Sequence, residues 1–510
     1  KKKNYLFVDG RYSIQANIES GKNFNIKSYD EIINCKLFKN LTLGIDPKIF
    51  TKNQIERFFN RYNKTRVIDI NLIDKISYKA KLISKPFYSL PKNIVGEDCF
   101  SKIRKVSEII KKKKSNYLFV SAPENVAWLL NIRGFDNPNS PIPNCRLFLT
   151  ENKRIYLISE KNKINKLIKE KKIKKKDVIE PKDFGKFIDK SKKGKIIIDK
   201  NTCSLFFENL LKKKHKILNT NDPIFHLKSV KNKVEIANMI KSHIYDGAAL
   251  TKFLYWIKKI NKNKITELDA QKKLENFRKK NENYLFPSFN TIAGTGKNGA
   301  IIHYKATKNS NRLINKKDIF LCDSGGQYKY GTTDVTRTIC FSKPKPEIKD
   351  IYTRVLKGHI AVANTNLENC FNGKLIDSRA RKYLKNIGLD YAHGTGHGVG
   401  FFSNVHEGPQ SISKYNKVKI IEGMILSNEP GYYKKNKFGI RIENLLYVKK
   451  LGKKIMFDNL TMAPIEKDLI NFNKLNKNEK RYLFLYHLKV YTVLSNYLSK
   501  NERKWLASFI

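Results

Sequence analysis

The sequence has few residues of several chemically useful kinds. Its 510 residues include 7 cysteines, 9 histidines and 46 acidic residues, against 102 lysines and arginines. The cysteines form no C-x-x-C pair, which argues against a zinc knuckle and indicates reduced thiols in a cytoplasmic compartment. No stretch approaches the roughly 18 unbroken apolar residues that cross a bilayer, so a membrane-spanning protein is excluded. Hydrophobic residues make up 40% of the chain, which is enough for at least one substantial core and excludes wholesale disorder.

The formal net charge of +56 is the most unusual property of the composition. Such a charge is typical of proteins that bind nucleic acid. The lysines are nevertheless spread along the whole chain, and only residues 111–114 and 169–176 are dense in them. This dispersion favours a general compositional bias, so we expect no specific nucleic-acid partner and no membrane partner.

Length and local pattern predict about three domains. Residues 1–90 alternate short apolar runs with turns, and residues 91–227 alternate strands with helices, which indicates a partly parallel sheet. There we predict a helix at 101–114, strands at 117–120, 146–150 and 195–199, and a surface helix over the lysine-rich stretch 160–178. From about residue 228 an amphipathic helix runs to Trp256, and a second helix starts at Thr266 and runs to Phe277. The chain begins in strand-like sequence, so we expect the natural start to lie upstream.

The scarce histidines and acids gather in one part of the sequence. Five of the nine histidines fall between residues 303 and 406, and four acids lie at strand ends or turns in that stretch or just beyond it. Four of these histidines and the four acids are our candidate site residues: His303, His393, His397 and His406 with Asp323, Asp334, Glu429 and Glu443. A single acid at a strand end is more often a solvated capping residue. Four carboxylates that converge need cations to neutralise them, and an oxygen-rich, thiolate-free set suits divalent ions such as Mn²⁺. Two ions about 3.5–4 Å apart can share bridging carboxylates.

Several motifs together resemble the pita-bread metallopeptidases. They are HGTGHGVG at 393–400, HEGP at 406–409, DSGG at 323–326, TTDVTR at 332–337, NEPGY at 428–432, GIRIEN at 439–444 and VDGRY at 8–12. Within this group the chain looks like the long form of the X-prolyl aminopeptidases, or aminopeptidases P. The resemblance implies an α/β (α+β) fold with two creatinase-like α/β domains at 1–90 and 91–227. A pita-bread catalytic domain at 228–450 and a C-terminal extension at 451–510 would follow.

The resemblance also implies the metal ligands, residue by residue. Asp323 would bind one metal ion, and His397 and Glu429 would bind the other. Asp334 and Glu443 would bridge the two ions, which we expect to be Mn²⁺.

The remaining roles follow from the same resemblance. His303, His393 and His406 would contact the substrate, with His393 or His406 stabilising the oxyanion. Glu429 would move a proton from water to the leaving proline nitrogen, and Arg441 would support the ligands from behind.

The implied function is hydrolysis of peptides with proline in the second position, by a cytoplasmic homodimer. Two alternatives stay open: a prolidase restricted to dipeptides, and a non-catalytic pita-bread binding protein. Two departures from the family pattern stand out. The first few dozen residues of its N-terminal domain are absent, and Asn428 replaces the usual Asp, where we expect a small effect.

Overall fold

The computed structural model describes residues 4–33, 41–59, 64–68, 85–260, 264–369 and 371–510. These residues form two compact units, one of residues 25–228 with the chain up to Phe7, the other of residues 8–24 and 229–510. Five cysteines in the described ranges are free thiols, while Cys35 and Cys370 lie outside them. No helix among the described residues is long and apolar enough to cross a membrane.

The first unit is built around a mixed six-stranded sheet. In spatial order its strands are Val178–Ile179, Ile155–Ile158, Arg146–Thr150, Tyr117–Val120, Gly194–Ile198 and His215–Asn219. The first pair and the last three strands run parallel, and Arg146–Thr150 is antiparallel to both of its neighbours. Three small two-stranded pairings complete it: Tyr5–Val8 with Asn25–Ser28, Thr42–Ile45 with Lys64–Val67, and Tyr88–Ser89 with Ile132–Arg133. The predicted partly parallel sheet is therefore present.

The first unit also contains helices, several of which pack apolar residues against the six-stranded sheet. Their bounds are Tyr29–Ile33, Lys52–Phe58, Lys92–Val95, Cys99–Lys112, Pro123–Leu130, Lys161–Lys169, Phe184–Lys190, Leu205–Lys212 and Pro223–Ser229. In Cys99–Lys112 the residues Ile103, Val106 and Ile110 are buried, which is the 3.6-residue repeat expected of an amphipathic helix.

The predicted surface helix over residues 160–178 was wrong in length. The helix spans Lys161–Lys169 only, because Lys171 adopts a left-handed conformation with φ of 55°. The Lys172 amide then donates to the Leu167 carbonyl, which closes the helix end. Leu167 is the last buried position of the helix, so no apolar stripe continues it.

The described residues of the second unit form four antiparallel sheets. One has the strands Tyr284–Pro287, Gly326–Tyr328 and Gly331–Thr332, and another has Ile292–Thr295, Phe320–Ser324 and Val335–Ile339. A five-stranded sheet has the order Glu407–Ile412, Gly396–Gly398, Ile425–Asn428, Asn444–Leu451 and Lys454–Asn459, and a hairpin joins Gly431–Lys434 to Phe438–Arg441.

Helices pack around these sheets. Their bounds are Ser13–Glu19, Lys233–Lys259, Glu267–Lys279, Pro346–Ala363, Gly373–Lys385, Lys477–Leu494 and Lys500–Ala507. The long helix begins later than predicted because Asn232 and Glu235 form a capping box. Thr266 and Asp269 form the capping box of the next helix, which agrees with the predicted start. The core joins the helices Pro346–Ala363 and Lys477–Leu494 to the sheets.

Candidate metal centre

Two paired strands bring the first two acids together. Phe320–Ser324 runs antiparallel to Val335–Ile339, with Asp323 opposite Thr336. Asp334 directly precedes the second strand, so both carboxylates reach one pocket. The arrangement agrees with the sequence expectation that neighbouring strands each deliver one acid to a common point.

The five-stranded sheet supplies His397 and Glu429. His397 Nε2 lies 3.4 Å from Asp334 Oδ2 and 3.6 Å from Glu429 Oε1. The other ring nitrogen, Nδ1, is 2.9 Å from the Gly398 carbonyl and donates to it. That hydrogen bond assigns the proton to Nδ1 and leaves the Nε2 lone pair facing the carboxylates, which is the geometry of a metal-ligating imidazole.

Glu443 completes the set from the two-residue connection between the strands Phe438–Arg441 and Asn444–Leu451. Its Oε2 accepts a hydrogen bond from Thr336 Oγ1 at 2.7 Å. One side-chain oxygen or nitrogen from each of Asp334, His397 and Glu443 lies within 4.8 Å of the others. Such a cluster can coordinate one cation, and the neighbouring Asp323 and Glu429 extend it towards a second.

Positive charge would stabilise the ionised carboxylates of this buried cluster. Burial raises the pKa of Asp334 and of Glu443 well above the usual range, and the neighbouring carboxylates raise both further. Burial also raises the pKa of Glu429. Asp323 Oδ1 is buried and accepts no hydrogen bond from any described residue. An oxygen-rich cluster with an unpaired buried acceptor fits divalent cations, so the residues present suit the implied metal site.

Arg441 connects this cluster to a hydroxyl that sequence reasoning missed. Its Nη2 donates to Asp323 Oδ2 at 2.5 Å, and its Nε donates to Thr336 Oγ1 at 3.0 Å. Its Nη1 donates to the Tyr433 hydroxyl at 2.6 Å. Tyr433 in turn lies 2.9 Å from His393 Nε2. Since His393 Nδ1 donates to the Gly394 carbonyl, Nε2 accepts the tyrosine proton.

The register of the hairpin could have indicated Tyr433. Gly431 pairs with Arg441 and Tyr433 pairs with Gly439. Tyr433 and Arg441 are therefore diagonal neighbours on one face, within reach of two long side chains.

The three further histidines differ in their hydrogen bonding. Both ring nitrogens of His393 are engaged, whereas no described residue forms a hydrogen bond with the ring of His303 or His406. The His406 ring lies edge-on to His397 with centroids 4.1 Å apart. Burial, followed by the nearby Arg11 charge, lowers the pKa of His303 to about 4, so this ring is neutral at physiological pH.

All nine side chains singled out from the sequence line one pocket of about 620 Å³. The segment that contains VDGRY also lines it, through Asp9, Arg11, Tyr12 and Gln15, and sequence reasoning assigned no role to these four residues.

Asn428 lies behind the pocket rather than in it. Its side-chain amide donates to the His359 carbonyl at 2.9 Å, and its own carbonyl accepts from His359 Nδ1 at 3.1 Å. Asn428 thus links the strand that precedes Glu429 to the helix Pro346–Ala363 by hydrogen bonds. This structural role agrees with the expectation that Asn428 is not a metal ligand.

Comparison with known proteins identifies related domains along the chain. The model of metallopeptidase family M24 matches residues 237–450, the creatinase/prolidase N-terminal domain matches 79–235, and the C-terminal region of peptidase M24 matches 453–508. A probable Xaa-Pro aminopeptidase P of Pyrenophora teres f. teres is 35% identical over 98% of this chain and 82% of its own length.

Solved structures show similarity over different lengths. An X-prolyl aminopeptidase from Caenorhabditis elegans, described as a cytosolic enzyme with a di-nuclear active site, superposes with a TM-score of 0.91 at 28% identity. That match covers 99% of this chain and 88% of the other. A prolidase from Pyrococcus furiosus, 25% identical, has a TM-score of 0.56 and covers 70% of this chain and 98% of its own.

The chain belongs to metallopeptidase family M24. Similarity over nearly its whole length groups it, within that family, with the Xaa-Pro aminopeptidases. The predicted fold class, a creatinase-like N-terminal region followed by a pita-bread catalytic domain, is confirmed. The bounds of the four domains remain predictions.

Proposed function

We propose that this chain is a dinuclear metalloaminopeptidase that hydrolyses the bond between an N-terminal residue and a following proline. The observation that carries the proposal is the convergence of four carboxylates and one imidazole in a single pocket. The full-length similarity to Xaa-Pro aminopeptidases supports the same substrate class.

The metal ligands would be divided as the family resemblance implies. Asp323 would serve one ion, His397 and Glu429 the other, and Asp334 and Glu443 both. We propose Mn²⁺, because the donor set is oxygen-rich and contains one neutral imidazole. Two divalent cations bound here supply Lewis acidity, which polarises a carbonyl oxygen and lowers the pKa of water.

The protein side chains supply proton transfer and charge stabilisation. Glu429 is our candidate to accept the proton of the attacking water and deliver it to the proline nitrogen. For the oxyanion the sequence left His393 and His406 open, and the hydrogen bonds favour His406. Both nitrogens of His393 are occupied, whereas the His406 ring is accessible from the pocket. We assign His393 to positioning through Tyr433, and His303 to substrate contact beside Tyr12.

Proline after the scissile bond explains the need for a dedicated enzyme. The proline nitrogen carries no hydrogen and the proline φ is fixed. Peptidases that require a hydrogen bond from the backbone N–H at this position therefore do not cleave the bond. The rings of His303 and His406 line the pocket and form no hydrogen bond with a described residue, so they can contact such a residue without requiring an N–H from it.

A prolidase would use the same metal ligands, but the similarity to a prolidase covers less of this chain than the similarity to an aminopeptidase does. The similarity to the Pyrococcus furiosus prolidase covers 70% of this chain, whereas that to the Caenorhabditis elegans aminopeptidase covers 99%. Following the same relative, we propose a cytosolic location. We also propose a homodimer, from the family resemblance, which light scattering after size-exclusion chromatography tests.

The decisive experiment measures release of the first amino acid from Xaa-Pro peptides of two to five residues, with and without Mn²⁺. We expect hydrolysis of tri- and longer peptides that chelation abolishes and Mn²⁺ restores. Hydrolysis of dipeptides alone would support the prolidase. No hydrolysis of any peptide at full metal loading would support the non-catalytic alternative.

A further inference from the structure

A second cavity adjoins the pocket that contains the proposed metal ligands. Its volume is about 1130 Å³, and it lies, like that pocket, within the unit of residues 8–24 and 229–510. Gln15, Tyr304 and Lys305 line both cavities, so these side chains stand where the two meet. None of the roles assigned above uses this second cavity.

The wall of the second cavity is held by a buried acid, Glu267. Its carboxylate accepts hydrogen bonds from the Tyr304 hydroxyl at 2.8 Å and from the Asn298 side-chain amide at 3.0 Å. The backbone amides of Thr295 and Arg312 donate to it as well, at 2.8 and 3.1 Å. These four hydrogen bonds to Glu267 hold the loop in one conformation, so the cavity wall is preformed, as the walls of most ligand-binding sites are.

The charges that face this cavity are mainly positive. Lys297, Lys305 and Arg312 line it, against the single acid Glu19, and Arg312 is paired with Asp318 at 3.8 Å. No described carboxylate pairs with Lys297 or Lys305. The cavity therefore attracts groups that carry negative charge.

Arg11 lines the catalytic pocket next to this junction and is held in a fixed orientation. Asp9 accepts from its Nε at 2.8 Å and from its Nη2 at 3.3 Å. This fork leaves Nη1 without a described partner, so Nη1 can donate to a bound molecule. The adjacent Tyr12 packs edge-on against His303 with centroids 5.0 Å apart, which places the segment beside the proposed substrate contact.

We propose that the second cavity binds the part of the peptide that follows the proline, and that Arg11 donates Nη1 to a backbone carbonyl of that part. Lys297 and Lys305 then favour peptides with an acidic residue two or three positions after the proline. The inference rests on the proposed function, since a bond cut at the metal centre leaves a C-terminal peptide that must lie beyond it. Binding energy from this remote part can be used to orient the scissile bond.

Hydrolysis of two matched pentapeptides tests the charge preference. Ala-Pro-Ala-Ala-Asp and Ala-Pro-Ala-Ala-Lys differ only in the last residue, and we expect kcat/KM to favour the first by up to about tenfold, as for two partly exposed ion pairs. In the double variant Lys297→Ala with Lys305→Ala this ratio should fall to near one. Lys308→Ala is the control, because Lys308 lies on the same loop and lines neither cavity.

Separate measurements of KM and kcat in Arg11 variants test the role of this residue. Arg11→Ala should raise KM for the pentapeptides by about tenfold, the loss of a charge-assisted hydrogen bond, with a smaller change in kcat. Arg11→Lys keeps the charge but cannot bind Asp9 with two nitrogens and a carbonyl with a third, so it should not restore KM. Wild-type KM in Arg11→Ala would overturn the assignment of Arg11.

Direct binding of the product peptides separates this inference from the proposed function. Fluorescence anisotropy of labelled Pro-Ala-Ala-Asp and Pro-Ala-Ala-Lys measures affinity without hydrolysis. A preference for the acidic peptide that the double lysine variant loses supports the cavity even if wild-type protein cuts no Xaa-Pro bond. Equal affinities, or a preference that the variant retains, overturn the cavity assignment even if Xaa-Pro hydrolysis is normal.

Discussion

Removal of one hydroxyl, in Tyr433→Phe, tests the connection between Arg441 and His393. The substitution deletes the acceptor of Arg441 Nη1, 2.6 Å away, and the donor to His393 Nε2, 2.9 Å away, without changing the ring. Arg441 is 2% exposed, so water cannot easily replace the lost partner. Arg441 also binds Asp323, so a displaced guanidinium would disturb a proposed metal ligand.

The expected cost follows from the two hydrogen bonds. One to a charged group contributes about 1.5–3 kcal/mol and a neutral one about 0.5–1.5 kcal/mol. We therefore expect the free energy of unfolding to fall by about 2–4 kcal/mol. We also expect kcat to fall by about 10- to 100-fold, as for loss of a group that orients a metal site.

The assay compares Tyr433→Phe with Tyr432→Phe. Tyr432 precedes Tyr433 on the same strand and points to the opposite face of the hairpin. Both rings pack against the hydrophobic core, but no described residue forms a hydrogen bond with the Tyr432 hydroxyl. Urea unfolding, bound metal per chain and the kinetics of a tripeptide at saturating Mn²⁺ should be measured for both variants. Wild-type stability and kcat in Tyr433→Phe, or equal losses in the two variants, would refute the reasoning.

Three further predictions concern the metal, the unusual Asn428 and the charge. Asp334→Asn should bind at least one metal ion fewer per chain by elemental analysis, because a proposed bridge loses its charge, and full occupancy would count against the bridge. Asn428→Asp, the residue usual in the family, should lower the free energy of unfolding by about 1–3 kcal/mol in chemical denaturation. It replaces a donor to the His359 carbonyl with a buried acceptor, and unchanged stability would contradict this. Affinity for a random oligonucleotide should be weak and should fall steeply between low and physiological salt, as fluorescence anisotropy would show; tight, sequence-selective binding at physiological salt would contradict the expectation.

The elements that the sequence predicted well are those with strong local signals. Tyr117–Val120 and Arg146–Thr150 are short apolar runs between turns, and their bounds agree with the expectation. The helix that starts after Thr266 carries its own capping box. The lysine-rich stretch lacked such a signal, because composition alone does not show where a buried stripe ends.

The proposed ligands were accessible to sequence reasoning for a chemical reason. Histidines and acids are scarce in this chain, so their gathering in one region of Gly-rich turns stands out against a background of lysine. These residues are far apart along the chain, and antiparallel strand pairing brings them together, as where Asp323 pairs with Thr336. Short apolar runs joined by turns predict such pairing.

The residues that support the site were not accessible in this way. Tyr433 is one of 25 tyrosines, and it becomes distinctive only when hairpin register places it diagonal to Arg441. Arg11 is separated from His303 by nearly three hundred residues, and its place in the pocket depends on residues 8–24 packing with the second unit rather than the first. Patterns of residue type locate groups that carry the chemistry, since chemistry limits which residues can serve. Groups that orient them can be of many types, so only tertiary structure identifies them, and variants such as Tyr433→Phe and Arg11→Ala are therefore more informative than substitution of the ligands.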